Sequence, residues 1–321
     1  MSLLLSKTIE KKILENYIEY QSLFVEFQSK FLTGLYSRYK NLENGNLVLY
    51  YAREAHLGVL RRKDHDLNCN LSYERFWENY NEVELKRHSI IKIAEDTSLP
   101  KETTRRKILQ LTKNKMLNKK NKIVGWLPSE QYKENYNLFI QEEIQDVSRL
   151  ISFVCTKINF SISSELISNE IKEKFSFYWF HYLGVQLQYL KMWSIQIKDL
   201  ELVFIFLQVA NLFASKVKKK NLSHKNLYDN PILLKEFTSA SISATSIADI
   251  TRIPRATCVR KLQILVDLKI VSQDKISKRY YMIPSATSEN LISSKMTKKA
   301  VTLFSNFFFI CIRGLNAKGT T

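Results

Sequence analysis

The sequence is poor in the residues that interrupt helices or build tight-turn sheets: only 7 Gly and 5 Pro in 321 positions. That scarcity argues against an architecture of many short strands and favours long helices with short connections. Cysteine is also scarce. Cys69, Cys155, Cys258 and Cys311 lie far apart, with no CxxC pair, which speaks against a zinc site or a disulfide framework and fits a reducing cytoplasm. There is no long apolar run. The strongest stretches, Phe175–Leu190, Leu200–Ala214 and Val301–Ile312, are too short or too interrupted for a membrane span and read as buried helices. The opening MSLLLSKTIEKK lacks the apolar run of a signal peptide, so a cytoplasmic protein with no membrane partner is expected. No Gly-rich phosphate loop, GxSxG or HExxH occurs, and His56, His65, His88, His181 and His224 share no metal-ligand spacing. Neither an enzyme nor a cofactor is expected.

Acidic residues are few as well, 31 against 49 Lys and Arg, for a net charge of +18. Part of the excess is residue usage, since Lys, Asn and Ile abound throughout, so its placement matters more than its size. The chain is nevertheless 45% hydrophobic, enough to bury a core, and its length suggests about two domains.

What organises the chain is repetition. Ser89–Leu117 aligns with Ser243–Val271 at a constant offset of 154, with ten of 29 positions identical: Ser89/Ser243, Ile93/Ile247, Ala94/Ala248, Thr97/Thr251, Pro100/Pro254, Thr103/Thr257, Arg106/Arg260, Lys107/Lys261, Leu111/Leu265 and Lys115/Lys269. Pro128-Ser129 falls on Pro284-Ser285 after a two-residue insertion, and Cys155 falls on Cys311. Weaker upstream matches pair Leu47-Val48 with Leu202-Val203, and Glu10, Glu15 and Phe24 with Glu165, Glu170 and Trp179. Together they describe a tandem duplication with a period near 155 residues. The expected domains are 1–158 (core about 74–129) and 159–321 (core about 229–285). Each holds a long amphipathic helix, a second helix ending in a basic run, a polar linker (Asp64–Ser72; Lys220–Asn230), the repeated core and a closing helix. The expected fold class is mainly α with two small β-wings.

Within the core, a helix around Ile90–Asp96 is followed by a break at Ser98-Leu99-Pro100 and a second helix over about Lys101–Asn114. Met116–Leu127 then carries β-type residues around a basic tip. A helical wheel puts Thr104, Ile108 and Leu111, like Cys258, Leu262 and Leu265, on the buried side. Glu102, Arg106, Gln110 and Lys113 lie opposite, with Arg106 and Arg260 central in both copies. Such an Arg can bond the O6/N7 edge of guanine or clamp a phosphate. Thr103 and Thr257, near a helix N-terminus, can bond phosphate. Lys101–Lys122 holds nine basic residues and one acid, and Arg255–Arg279 seven and two. Charge thus collects on the helix and on the tip twice over, the footprint of nucleic-acid binding.

The runs L-P-K-E-T-T-R-R-K-I-L-Q-L (from Leu99) and I-P-R-A-T-C-V-R-K-L-Q-I-L (from Ile253) resemble the turn and recognition helix of MarR- and IclR-type regulators. The resemblance implies tandem winged helix-turn-helix domains with flanking long helices. It also implies a pseudo-dimer fused into one chain, acting as a monomer on two half-sites of double-stranded DNA about one helical turn apart. Lys115 and Lys269 stand where that family usually has Gly, a departure that bears on the turn geometry. The expected DNA contacts are Lys101, Thr103, Arg105, Arg106, Gln110, Lys113, Lys119, Lys120 and Lys122 in copy one. In copy two they are Arg255, Thr257, Arg260, Lys261, Lys275, Lys278 and Arg279. The expected function is sequence-specific transcriptional regulation. A plasmid- or phage-type replication initiator with two winged helices, and an interaction scaffold without DNA, are the alternatives. A small-molecule effector is left open: Trp179, Trp193, Tyr178 and Tyr182 can line a pocket, although aromatics at helical spacing are usually core.

Overall fold

Long apolar stripes with few breakers fold as helices. The computed structural model describes residues 2–219, 239–282 and 291–316. The expected linker Lys220–Asn230, His224 and the Pro284-Ser285 match lie outside the described residues. The order is α1 (Ser2–Glu15), α2 (Tyr17–Tyr39), α3 (Leu42–His65), α4 (Phe76–Asn81), α5 (Ile90–Thr97), α6 (Lys101–Lys113), β1 (Asn118–Lys120), β2 (Ile123–Gly125), α7 (Glu130–Lys157), α8 (Ser164–Glu173), α9 (Phe175–Ile197), α10 (Leu200–Lys219), α11 (Ala244–Thr251), α12 (Arg255–Asp267), β3 (Val271–Gln273), β4 (Tyr280–Met282) and α13 (Leu291–Asn316). The protein is mainly helical, with two small antiparallel hairpins, β1–β2 and β3–β4. No helix among the described residues is long and apolar enough to cross a membrane.

Packing divides the chain differently from the repeat. Among described residues, one compact unit holds 2–9, 43–192 and 303–316, and the other holds 10–42, 193–219, 239–282 and 291–302. The halves 1–158 and 159–321 are therefore not the packed bodies: α2 of the first half belongs with the second unit, and α8 and most of α9 with the first.

In the first unit, an aromatic cluster forms around Phe76. His56 stacks on Phe76 at 4.3 Å between centroids, and Trp77, Trp126 and Phe175 close around it. Trp179, Tyr178 and Tyr182 are fully buried core. The Tyr182 hydroxyl donates to the buried Glu143 carboxylate, and the Tyr178 hydroxyl to Glu170. The second unit packs α2 along α10, with α10 also touching α11, α12 and β4. There Tyr20 stacks on Phe24, Tyr36 meets Phe204, and the buried Ser29 hydroxyl donates to Gln208. Trp193 is buried beside Phe206 in the same unit. The four aromatics considered for a pocket are thus packing residues.

The helices also correct the upstream register of the repeat. α2 and α9 are both 23 residues long and run from 17 to 39 and from 175 to 197; α3 and α10 begin at 42 and 200. The left-handed residues that end α2 and α9, Lys40 and Lys198, are equivalent too. The offset there is 158, three residues (nearly one helical turn) beyond the 155 of the sequence match. At 158, Lys40-Asn41-Leu42-Glu43 lies on Lys198-Asp199-Leu200-Glu201, and Tyr20 on Tyr178.

His56 gives this fold a pH dependence. It is completely buried, and burial pulls its pKa down to about 3 from the ordinary 6.5. The unfolded chain binds this proton more readily, so the contribution of neutral His56 is complete above pH 6.5 and is lost as pH falls toward 3. Stability should decline by about 1.4 kcal/mol per pH unit from this site over that window. Denaturant titrations of wild type and His56→Leu from pH 7.5 to 4.5 measure it; the variant should show the shallower pH slope.

Candidate nucleic-acid interface

The repeated core builds the same helix–turn–helix–hairpin in both units. Ser89 caps α5 by accepting from the Lys92 amide, and Ser243 caps α11 by accepting from the Ser246 amide. The buried Thr97 and Thr251 hydroxyls turn back to Ile93 and Ile247 carbonyls, both at 2.7 Å. Ser98 and Arg252 then take left-handed backbone, and Pro100 and Pro254 sit at the N-caps of α6 and α12, one position before the first helical residue. In the first unit the Asn46 amide also donates to the Thr97 carbonyl, tying the turn to α3.

The wheel holds. Thr104, Ile108 and Leu111 are buried, as are Cys258, Leu262 and Leu265. Lys101, Arg105, Arg106, Gln110 and Lys113 are exposed, and so are Arg255 and Arg260; Thr103 and Thr257 are half-buried at the edges. Arg105 is paired with Glu102 at 2.6 Å, and Arg255 donates to the Thr245 hydroxyl. Arg106 and Arg260 show no ion pair among the described residues, which leaves both guanidinium groups turned to solvent.

One expected contact is corrected. Lys261 is only 6% exposed, and its ammonium is held by Asp199 and by Glu201, the latter at 3.1 Å. Burial disfavours the charge, but the two carboxylates outweigh it and raise the pKa. Lys107 is buried and ion-paired in the first unit: 9% exposed, 3.0 Å from Glu43 and 3.3 Å from the Asn44 side-chain oxygen. A charge on that side of the helix must find a partner within the protein, so the position pins α6 to the start of α3, and α12 to the start of α10. Both ammonium groups are committed to carboxylates of the protein itself. The signal that sequence reasoning missed is the Lys-Asn-Leu-Glu and Lys-Asp-Leu-Glu pair at 40–43 and 198–201, whose Glu supplies the partner each time.

Lys115 and Lys269 adopt the left-handed turn despite lacking the freedom of Gly, with φ of 57° and 56°. The Met116 and Ile270 amides bond back to Leu111 and Leu265. The turn geometry is thus kept at a cost of roughly 1 kcal/mol each. The hairpins differ. β1–β2 pairs Lys120 with Ile123 around a two-residue tip, Asn121-Lys122, both left-handed as a type I′ turn requires. β3–β4 pairs Gln273 with Tyr280 around six residues, and Ile242 bridges to Tyr280. Lys119, Lys120, Lys122, Lys275, Lys278 and Arg279 are all exposed.

The first unit also carries a polar cluster at His88, just before α5. The Tyr50 hydroxyl lies 3.0 Å from His88 Nδ1, and Glu54 lies 3.8 Å from Nε2. Burial lowers the His88 pKa, with Glu54 opposing it and Lys92 and Arg61 adding to it. Glu54 and His88 border a cleft shared with Arg61, Lys86, Gly125 and Trp126. The second unit has Gln208, Leu212 and Ile242 in place of Tyr50, Glu54 and His88.

No family model, curated protein or solved structure matches this chain.

The pin predicts an order of costs. Lys261→Met leaves Asp199 and Glu201 facing each other without a cation and should destabilise by about 2–4 kcal/mol. Lys107→Met should cost less, because its partner Glu43 is 40% exposed and solvates itself. Urea unfolding of the two variants compares them, and a larger loss at Lys107 would contradict the assignment.

Proposed function

We propose that the chain is a sequence-specific duplex DNA-binding protein, with two winged helix-turn-helix modules in one polypeptide, acting as a non-enzymatic cytoplasmic transcriptional regulator. The observation that carries the reading is the pair Arg106 and Arg260. Each stands exposed, with no ion pair among the described residues, at the same place on the second helix, in a module that also ends in a basic hairpin tip. A guanidinium left free costs nothing in water and gains two hydrogen bonds on a guanine edge or a phosphate. Lysines on the tips supply the sequence-independent part by displacing counterions. An effector, for which the cleft at Glu54, Arg61 and His88 offers a mixed-charge lining, belongs to the same reading.

Selection from a random duplex pool followed by mobility shift tests it. One specific site supports a regulator, iterated sites an initiator, and no binding a scaffold. Arg106→Ala and Arg260→Ala should each weaken specific binding by about 1–3 kcal/mol. Replacing Lys119, Lys120 and Lys122 together should weaken binding to all sequences and flatten its salt dependence. Wild-type affinity in the double Arg variant would sink the recognition-helix assignment.

The two half-sites should also differ. Around Arg106 stand Lys101, Glu102, Arg105, Gln110 and Lys113; around Arg260 stand Arg255, Ala256, Val259, Ile264 and Asp267. Arg and Gln side chains suit guanine and adenine edges, whereas Ala and Val suit thymine methyls. The selected site should therefore be asymmetric, with a T-richer half for the second module. A perfect palindrome, with equal losses on mutating either half, would contradict this.

A further inference from the structure

Ile276 is 94% exposed, above every other large hydrophobic side chain among the described residues. Scattered surface apolar residues are ordinary, but the setting of this one is not. It sits at the tip of the β3–β4 hairpin, between Lys275 and Lys278-Arg279. Leu67, at 85%, lies instead beside Asp64 and Asp66. The Ile276 tip is also held in shape. The Asp274 carboxylate accepts from the Ile276 amide at 3.1 Å and from the Ser277 amide at 2.6 Å. The Ser277 amide and hydroxyl and the Ile276 amide hold that carboxyl below its usual pKa. The Asp274 amide donates to the Arg279 carbonyl, the Lys278 amide to the Asp274 carbonyl, and Gln273 to the Lys278 carbonyl. The Arg279 guanidinium donates twice to the Ser241 carbonyl, bracing the base of the tip. No described residue buries Ile276, yet seven hydrogen bonds around it fix the backbone that carries it. The first module's tip, Asn121-Lys122, has no apolar residue and is four residues shorter.

We infer that Ile276 is a DNA-bending wedge: the β3–β4 tip enters the minor groove, its flanking cations bind the two phosphate backbones, and the Ile side chain inserts between base pairs and kinks the duplex. An apolar side chain partly unstacks a base step most effectively when it is presented rigidly, since a mobile tip would lose ordering entropy on insertion. The cations fix the surface it meets as polyanionic. A duplex fits better than an acidic membrane, because one Ile buries too little apolar area to hold a lipid surface. The inference rests on the duplex-binding reading, and adds that the second module deforms what it binds. Pyrimidine–purine steps, the easiest to kink, should lie under the tip.

The test is ring closure by ligase of a mixed-sequence duplex of about 100 base pairs, which is stiffer than its own length because the persistence length is about 150. Wild type should accelerate closure by at least about tenfold. Ile276→Ser should bring it close to the protein-free rate, with mobility-shift affinity for the same duplex falling less than about threefold; Ile276→Leu should retain closure. The side chain is 94% exposed, so folding is not at stake. Binding by wild type without faster closure, or undiminished closure by Ile276→Ser, overturns the wedge while leaving the duplex reading standing. Absence of any duplex binding overturns both. Sedimentation with phosphatidylserine vesicles gives the other arm: wild-type binding lost in Ile276→Ser, without ring closure, would make the tip a membrane probe and overturn the wedge.

Discussion

A buried ammonium must be neutralised where it lies, and Lys107 and Lys261 impose that requirement on both modules. Their partners, Glu43 and Glu201, stand at the first turn of the helix on which each exposed helix rests. Acidic side chains there are also favoured by the helix N-terminus. The pair therefore fixes rotation as well as contact, because a helix held at one side chain cannot roll. Lys107 and Arg106 are adjacent in sequence and about 100° apart on the helix, as are Lys261 and Arg260. Pinning the first inward turns the second outward. The exposed guanidinium is thus a consequence of the buried ammonium, and any slackening of the pin would reach the exposed face of the helix.

The helix–turn–helix was legible because its positions are nearly all determined by burial or by backbone geometry. Ser89, Thr97, Pro100 and Leu111 each have one structural task, and the same residues recur in the second copy. The flanking helices were harder. An apolar pattern shifted by three residues still presents nearly the same stripe, so matching Leu47-Val48 to Leu202-Val203 slid the register by one turn. Only a polar quartet, Lys-Asn/Asp-Leu-Glu, breaks that degeneracy. The exchange of helices between units was not legible for a related reason. Tyr20, Phe24, Phe27 and Phe31 say that α2 must be covered, but two similar apolar surfaces were on offer and the pattern does not choose. Lys261 was misread because composition assigns a lysine to solvent, and its partner lies 60 residues away in sequence.

The near absence of glycine has a structural consequence at the turns. Among the described residues every left-handed position is filled by something else: Lys40, Ser98, Lys115, Asn121, Lys122, Asn159, Lys198, Arg252, Lys269 and Lys278. Each costs of order 1 kcal/mol that Gly would avoid, and the cost is carried by the burial of the helices those turns join. Lysine is a tolerable choice there because its unbranched stem leaves the chain and its charge stays in water. At the hairpin tips the substitution has a second effect. Lys122 and Lys278 occupy positions where a Gly would relieve strain but contribute no charge, so the residue that strains the tip is also one that can meet a phosphate.

Comparing the two modules separates what the fold requires from what it does not. Positions alike in both are mostly buried, capping or left-handed: Ser89 and Ser243, Thr97 and Thr251, Lys107 and Lys261, Lys115 and Lys269. Exposed positions differ freely, with Arg105 against Val259, Gln110 against Ile264, and a two-residue tip against one of six. Solvent places no demand on such positions, so divergence there needs no special cause. Arg106 and Arg260 break the division. They are exposed and make no ion pair among the described residues, yet they are the same residue in the same place. Folding supplies no reason for that identity. That identity is what supports the proposed duplex contact, since a nucleic acid offers both the base edge and the phosphate that a planar cation beside a basic hairpin fits.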